Sequence, residues 1–273
     1  VHDPGNGPLF YKVDRGIYGR LSGRDPAGDG DRHLPGICDR LAVPLRSGIG
    51  HYTHHIMNDI YLIRHTTPAV AKGVCYGQTD LDITETFLEE AEVIRQVLPT
   101  GVATVHSSPL QRCARLARHL FPGQTISLED ELMEVHCGEW EMKNWDELPK
   151  EEIDPWMADF VNIRIPGGES YLDLQERVNR CWNRIREGSP QAAEPGLAME
   201  SGAIAVVAHG GVIRSILSGI TGTPLIDSFK VFGLHYGCVI RVFDEGGRSG
   251  YEILSNQAPQ EKEQHKPSSF YKK

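Results

Sequence analysis

Three short polar clusters in this 273-residue chain carry side chains suited to chemistry on an anion. They are Arg64-His65-Thr66, His106-Ser107-Ser108-Pro109 with Arg112 just beyond, and His209-Gly210-Gly211. Arginine offers planar, permanently charged donor pairs that match a phosphate in a way lysine does not. A neutral histidine is a nucleophile, and two neighbouring cations disfavour its protonation. Its attack on phosphorus forms a phosphohistidine and splits one hard displacement into two easier ones. The rest of the work in phosphoryl transfer is positioning and electrostatic stabilisation. Two arginines and two histidines of this kind therefore predict a site that grips a phosphate, with His65 as nucleophile.

The elements that must position them are legible as well. Each cluster follows an apolar run: Ile60-Tyr61-Leu62-Ile63, Val102–Val105 and the fully apolar Ala203–Ala208. Each such run reads as a buried strand. A helix is expected from Ile83, Phe87, Ala91, Ile94 and Leu98, with Asp82 as N-cap and Glu85 three residues on. Further helices are expected over Leu110–Leu120, from Ser170 through Ile185, and over Val212–Ile220. Trp145–Phe160 reads as a helix broken by Pro149 and Pro155. Cys238–Phe243 and Tyr251–Leu254 read as edge strands around a Gly246-Gly247 turn. Alternating strands and helices imply an α/β fold, a three-layer α/β/α sandwich with a mostly parallel central sheet and helices on both faces. Ligands of such sheets bind beyond the carboxyl ends of the strands, where the three clusters fall. An Arg-His pair alone is weak evidence, since Arg32-His33 and Arg118-His119 also occur, the first in a Gly/Asp-rich stretch and the second within a predicted helix.

Composition narrows the function classes. A formal charge of −9 argues against binding a nucleic-acid backbone. No apolar run reaches the roughly 20 residues of a membrane span, and no secretory leader is visible. The six cysteines are scattered without a C-x-x-C pair, which points to reduced thiols and a cytoplasmic protein rather than zinc or a disulfide framework. Residues 1–56 are rich in Gly, Asp, Arg and Pro without periodicity and are expected to be a low-complexity or disordered extension. Met57 directly precedes the first strand, so it is a candidate natural start. His51, His54 and His55 are not assigned as a metal site. Residues 57–256 form the expected domain, and residues 257–273 a polar tail.

The clusters together resemble the histidine phosphatase superfamily, the phosphoglycerate mutase-like proteins. Leu62-Ile63-Arg64-His65, Ser107-Ser108-Pro109-Leu110-Gln111-Arg112, Glu134 with Gly138-Glu139-Trp140-Glu141, and Ala208-His209-Gly210-Gly211 carry the likeness across residues 57–256. The resemblance implies a phosphate pocket of Arg64, Arg112, His65 and His209, with no metal and no cofactor. It implies Glu134 as the acid that protonates the leaving oxygen and then activates water, with Glu131 and Glu139 as alternatives. Thr66 stands where the family usually has glycine. Arg64-His65-Thr66-Thr67-Pro68 with Cys75-Tyr76-Gly77-Gln78-Thr79-Asp80 is similar to α-ribazole phosphatases of the cobalamin pathway. That likeness implies a phosphomonoesterase acting on α-ribazole 5′-phosphate, a small-molecule phosphate ester. The loop 66–80 then faces the pocket mouth, so Thr66, Tyr76 and Gln78 are candidate substrate contacts, with Tyr76 placed to stack on the base. Gly167-Gly168-Glu169-Ser170 also recurs in the superfamily and is expected near the pocket. The alternatives are a broad-specificity sugar-phosphate or nucleotide phosphatase, a phosphoglycerate mutase, and a non-catalytic phospho-ligand binder. The sequence is silent on oligomeric state.

Overall fold

The run Ile60–Arg64 has no polar residue before its last position, and all five of its residues are buried (β1). A strand apolar on both faces needs cover on both, and the computed structural model provides it. The structure describes residues 59–187, 202–245 and 248–257. The expectations for residues 1–56, for the 188–201 loop, for the 246–247 turn and for the tail beyond 257 lie outside them.

Six strands form one sheet in the order β3-β2-β4-β1-β5-β6. The others are Val102–Ser107 (β2), Ile126–Leu128 (β3), Ala203–Ala208 (β4), Val239–Glu245 (β5) and Arg248–Ser255 (β6). The pairs β2/β3, β2/β4 and β1/β4 are parallel, while β5 runs antiparallel to both β1 and β6. Side chains alternate across the sheet. Ile60, Leu62, Ile204 and Val206 meet one pair of helices, Tyr171–Glu187 (α4) and Gly210–Thr221 (α5). Tyr61, Ile63, Ala205 and Val207 meet the other pair, Phe87–Val97 (α1) and Gln111–Leu120 (α2). The result is the α/β/α sandwich expected, with the strand carrying His65 near its centre. A smaller apolar cluster built on Trp140, Trp145, Ile153 and Ile165 lies apart from those two cores.

Four local expectations are corrected. The first helix starts at Phe87, not near Ile83. Asp82 instead accepts from the Ile83 N–H and pairs with Arg115, and Ile83 is held in a bridge to Pro68. The segment Trp145–Phe160 is a single turn at Trp145–Glu147 and then a helix, Lys150–Ala158 (α3), that runs through Pro155. Pro149 sets its start, and Pro155 forfeits one hydrogen bond in a short helix that Trp156 anchors against Trp140, Trp145 and Phe160. β5 is paired on both sides, so only β6 of the last two strands is an edge. β3 has three half-exposed residues and no readable period, which hid it in the sequence.

Helix α4 opens as read, with Ser170. Its Oγ accepts from the Asp173 N–H at 3.2 Å, and the Asp173 carboxylate accepts from the Ser170 N–H at 2.8 Å.

Candidate active site

β1 ends at Arg64, and its backbone is tied down on both flanks. The His65 N–H donates to the Ala208 carbonyl at 3.1 Å, and the Gly237 N–H donates to the His65 carbonyl at 3.1 Å. The His65 ring is buried and its Nδ1 lies 2.7 Å from the Thr66 carbonyl oxygen. A carbonyl only accepts, so Nδ1 carries the proton and Nε2 carries the lone pair. The ring stands edge-on to His209 at 5.1 Å between centroids and lies 5.5 Å from Tyr236.

His209 caps α5 at the end of the adjacent parallel strand. Its Nε2 is 2.8 Å from Ser108 Oγ, so the second cluster orients the third. Burial, then the charges of Arg112, His65 and Arg64, hold its pKa well below the ordinary 6.5, and the imidazole is neutral. Arg64 is buried over the Tyr236 ring at 4.0 Å and donates to the Leu234 carbonyl at 2.7 Å. Arg112 is fully buried at the start of α2, with Nη1 on the Thr79 carbonyl at 2.9 Å and Nη2 on the Gly77 carbonyl at 2.6 Å. Its Nε has no partner among the described residues.

Glu134 reaches the first turn of α5. Its carboxylate accepts from the Gly211 N–H at 2.9 Å and from its own neighbour Val135 at 3.0 Å. Any Cβ on Gly211 would overlap Glu134 Oε1, which explains the second glycine of the His-Gly-Gly cluster. The peptide behind Glu134 is fixed from two sides. Arg177 of α4 donates to the carbonyls of Glu131, Met133 and Glu134 at 2.6–2.8 Å and pairs with Glu169. Glu131 is turned to Arg184, and the Glu139 side chain lies against Gly167. Of the three acids considered, Glu134 alone lines the cavity that contains His65.

The loop after β1 is organised by Glu141. Its carboxylate collects the N–H groups of Gly77, Gln78, Thr79 and Cys137 and the Thr79 hydroxyl, at 2.6–3.3 Å. Burial raises its pKa, but these donors outweigh burial and hold it below the usual carboxylate range. Gln78 turns inward and donates to the Glu134 carbonyl at 3.1 Å, so its amide positions that peptide. The Tyr76 hydroxyl is 2.6 Å from that of Tyr236, and its ring faces the cavity. Thr66 is buried, and its carbonyl is its contribution to His65, since its hydroxyl has no partner among the described residues.

The cavity encloses roughly 860 Å³ including its open mouth. Arg64, His65 and Glu134 form one end, and Trp145, Trp156, Phe160 and Phe229 form the walls. Phe229 comes from the short helix Ser228–Val231 (α6). Glu169 also lines it, bearing out the expectation for the Gly167-Gly168-Glu169-Ser170 stretch. Sequence reasoning missed Glu141, Arg177, Tyr236, Arg214 and the aromatic walls. Arg214 alone left a usable signal, four residues after Gly210 on the same face of a helix.

A doubly covered sheet with histidines and arginines gathered at its carboxyl edge defines a phosphoryl-handling α/β enzyme. Residues 60–256 match the histidine phosphatase superfamily (branch 1), and the chain belongs to that family, which makes it an enzyme of the phosphatase class. Over 176 residues it is 32% identical to a protein of Escherichia coli O1:K1 named probable phosphoglycerate mutase GpmB, covering 62% of this chain and 77% of the relative. The fold is similar to that of the α-ribazole phosphatase of Shigella flexneri, with TM-score 0.62 and 23% identity over 73% of this chain and 96% of the other. It is likewise similar to a mycobacterial glucosyl-3-phosphoglycerate phosphatase, with TM-score 0.59 and 18% identity over 73% and 99% of the two chains. Among the described residues no helix is long and apolar enough to cross a membrane.

Proposed function

We propose that the chain hydrolyses a phosphate monoester through a phosphohistidine on His65. The observation that carries this reading is the tautomer. With the Nδ1 proton committed to the Thr66 carbonyl, Nε2 keeps its lone pair in a setting of two arginines and a neutral second histidine. In the first step Nε2 bonds to phosphorus, the ester P–O bond breaks, and protonated Glu134 gives its proton to the departing alkoxide. Arg64, Arg112 and His209 stabilise charge on the equatorial oxygens. In the second step water attacks phosphorus and gives a proton to Glu134. The Nε2–P bond then breaks, and inorganic phosphate leaves with Glu134 restored.

The finer reading is α-ribazole 5′-phosphate as substrate. Its support is the Arg64–Pro68 and Cys75–Asp80 pattern, the fold likeness above, and a cavity whose walls suit a flat apolar base. Radiolabelled substrate should leave acid-labile, alkali-stable label on the wild type and none on His65→Ala, which should also lose nearly all turnover. Undiminished label on His65→Ala would refute the assignment. The substrate is tested by kcat/KM on α-ribazole 5′-phosphate against 3-phosphoglycerate, fructose 2,6-bisphosphate and AMP. Equal use of any rival would remove the cobalamin reading and leave a general phosphatase.

A further inference from the structure

Arg214 is used by nothing described so far, yet it is a cation buried at the floor of the cavity, with 7% of its surface exposed. Its Nε donates to the Phe232 carbonyl at 3.0 Å, and its guanidinium lies 4.5 Å from the centroid of the Phe229 ring. Among the described residues its Nη1 and Nη2 donate to no acceptor, and no carboxylate pairs with it. A buried guanidinium left with unmet N–H groups is costly, so an acceptor is required on the cavity side. Burial, then Arg64, push its pKa below the ordinary arginine value, which measures the unmet charge.

Its placement says which part of a substrate it meets. Arg64 anchors on Leu234 and Tyr236 beside His65, whereas Arg214 stands over Phe229. Phe229 in turn packs edge-on against Phe160 and tilted against Tyr171, 5.4 and 5.7 Å between centroids. Trp145 and Trp156, stacked at 5.8 Å, complete an apolar aromatic wall. Such a chamber, of about the size typical for small-molecule sites, holds a flat apolar group and orients it by a few polar points. Arg214 is one such point.

We propose that this chamber is the leaving-group site and that Arg214 determines specificity in it, donating from Nη to oxygen acceptors on the sugar of a base-bearing sugar phosphate while the aromatic wall takes the base. The chamber thus asks for two features in one leaving group, a planar apolar ring and an oxygen acceptor nearer the ester. A simple aryl alcohol supplies only the first, and a free sugar only the second. The inference rests on the phosphatase reading, with the phosphoryl group at His65.

The test crosses four esters with two variants of the full chain. The esters are α-ribazole 5′-phosphate, phenyl phosphate, ribose 5-phosphate and 3-phosphoglycerate. The wild type should favour the first. Arg214→Gln should lower kcat/KM for it by about tenfold to a hundredfold more than for phenyl phosphate, the worth of a bond from a charged donor. Trp156→Ala should show the opposite split, sparing ribose 5-phosphate and penalising both ring-bearing esters. Orthovanadate inhibition, which probes the phosphoryl end, should persist in Arg214→Gln. Equal losses on every ester with vanadate affinity also lost would make Arg214 a phosphoryl ligand and overturn the proposal. A wild-type preference for 3-phosphoglycerate would overturn it too. Binding of dephosphorylated α-ribazole, read by tryptophan fluorescence, gives an answer independent of catalysis and of marginal folding. If no ester is turned over but α-ribazole binds and Arg214→Lys or Arg214→Gln weakens it, the leaving-group site stands and the phosphatase reading falls. No binding to the folded wild type overturns the leaving-group site.

Discussion

Replacing Glu141 by alanine removes the one acceptor that five donors share, and its effect can be worked from the structure. The donors are the N–H groups of Gly77, Gln78, Thr79 and Cys137 and the Thr79 hydroxyl. A hydrogen bond to an ionised partner is worth about 1.5–3 kcal/mol, so simple addition gives more than 7 kcal/mol. These bonds are not additive, and the loop is half-exposed, so water replaces part of what is lost. About 3 kcal/mol is the reasoned loss, near the lower end for breaking a buried ionic network. For a domain of this size that lowers Tm by about 6–12 °C. The effect reaches the chemistry because the carbonyls of Gly77 and Thr79, on the same loop, hold the Arg112 guanidinium. A loosened loop misplaces that guanidinium, and kcat/KM should fall by about tenfold to a hundredfold with little change in which ester is preferred. Glu141→Gln keeps one acceptor oxygen and should show roughly half the loss in Tm. The stability that ionised Glu141 supplies is fully present above the ordinary value of 4.5 and is lost as pH falls through its lower folded value. Thermal unfolding across pH and p-nitrophenyl phosphate turnover are the assays. A Glu141→Ala protein with wild-type Tm and wild-type kcat/KM would refute the brace.

Three further outcomes follow from the same geometry. Glu134→Gln should slow esters with poor alkoxide leaving groups far more than aryl esters, which need little protonation; equal slowing would move the acid elsewhere. Arg112→Lys keeps the charge but cannot hold both loop carbonyls and present a planar fork, so kcat/KM should drop by about tenfold to a hundredfold, and wild-type activity would exclude Arg112 from the site. His209 is held neutral in the fold but binds a proton in the unfolded chain below about 6.5, so its contribution to stability is present above that pH and declines as pH falls below it. His209→Asn should flatten this part of the stability profile, and superposed wild-type and variant profiles would rule the contribution out.

The scaffold was readable because burial imposes a simple code on it. Ile60–Ile63 and Ala203–Ala208 are apolar on both faces because helices cover both, and the polar residues after them had to mark the carboxyl edge. Asp82 shows where local grammar misled. Its position favoured a helix cap, but a distant Arg115 took its carboxylate. Glu141 and Arg177 were illegible for a related reason. Each satisfies backbone groups far away in sequence, and a carboxylate that organises a loop has the same one-letter code as one that faces water. The chamber walls were hidden too, since Trp145, Trp156, Phe160 and Phe229 come together only through tertiary packing.

The origin of those walls has a consequence for how such a site changes over time. His65 and His209 are set by neighbouring strands, with backbone bonds on both flanks of His65 that leave little freedom to drift. The aromatic walls come instead from connections outside the sheet, the turn at Trp145, helix α3 and helix α6. The two parts are separable modules. Connections tolerate substitution and length change that a central strand does not. Mutations accumulating in α3 and α6 can therefore exchange one alcohol for another while the phosphoryl chemistry stays in place, and a laboratory library confined to those two helices would sample new substrates without placing the nucleophile at risk.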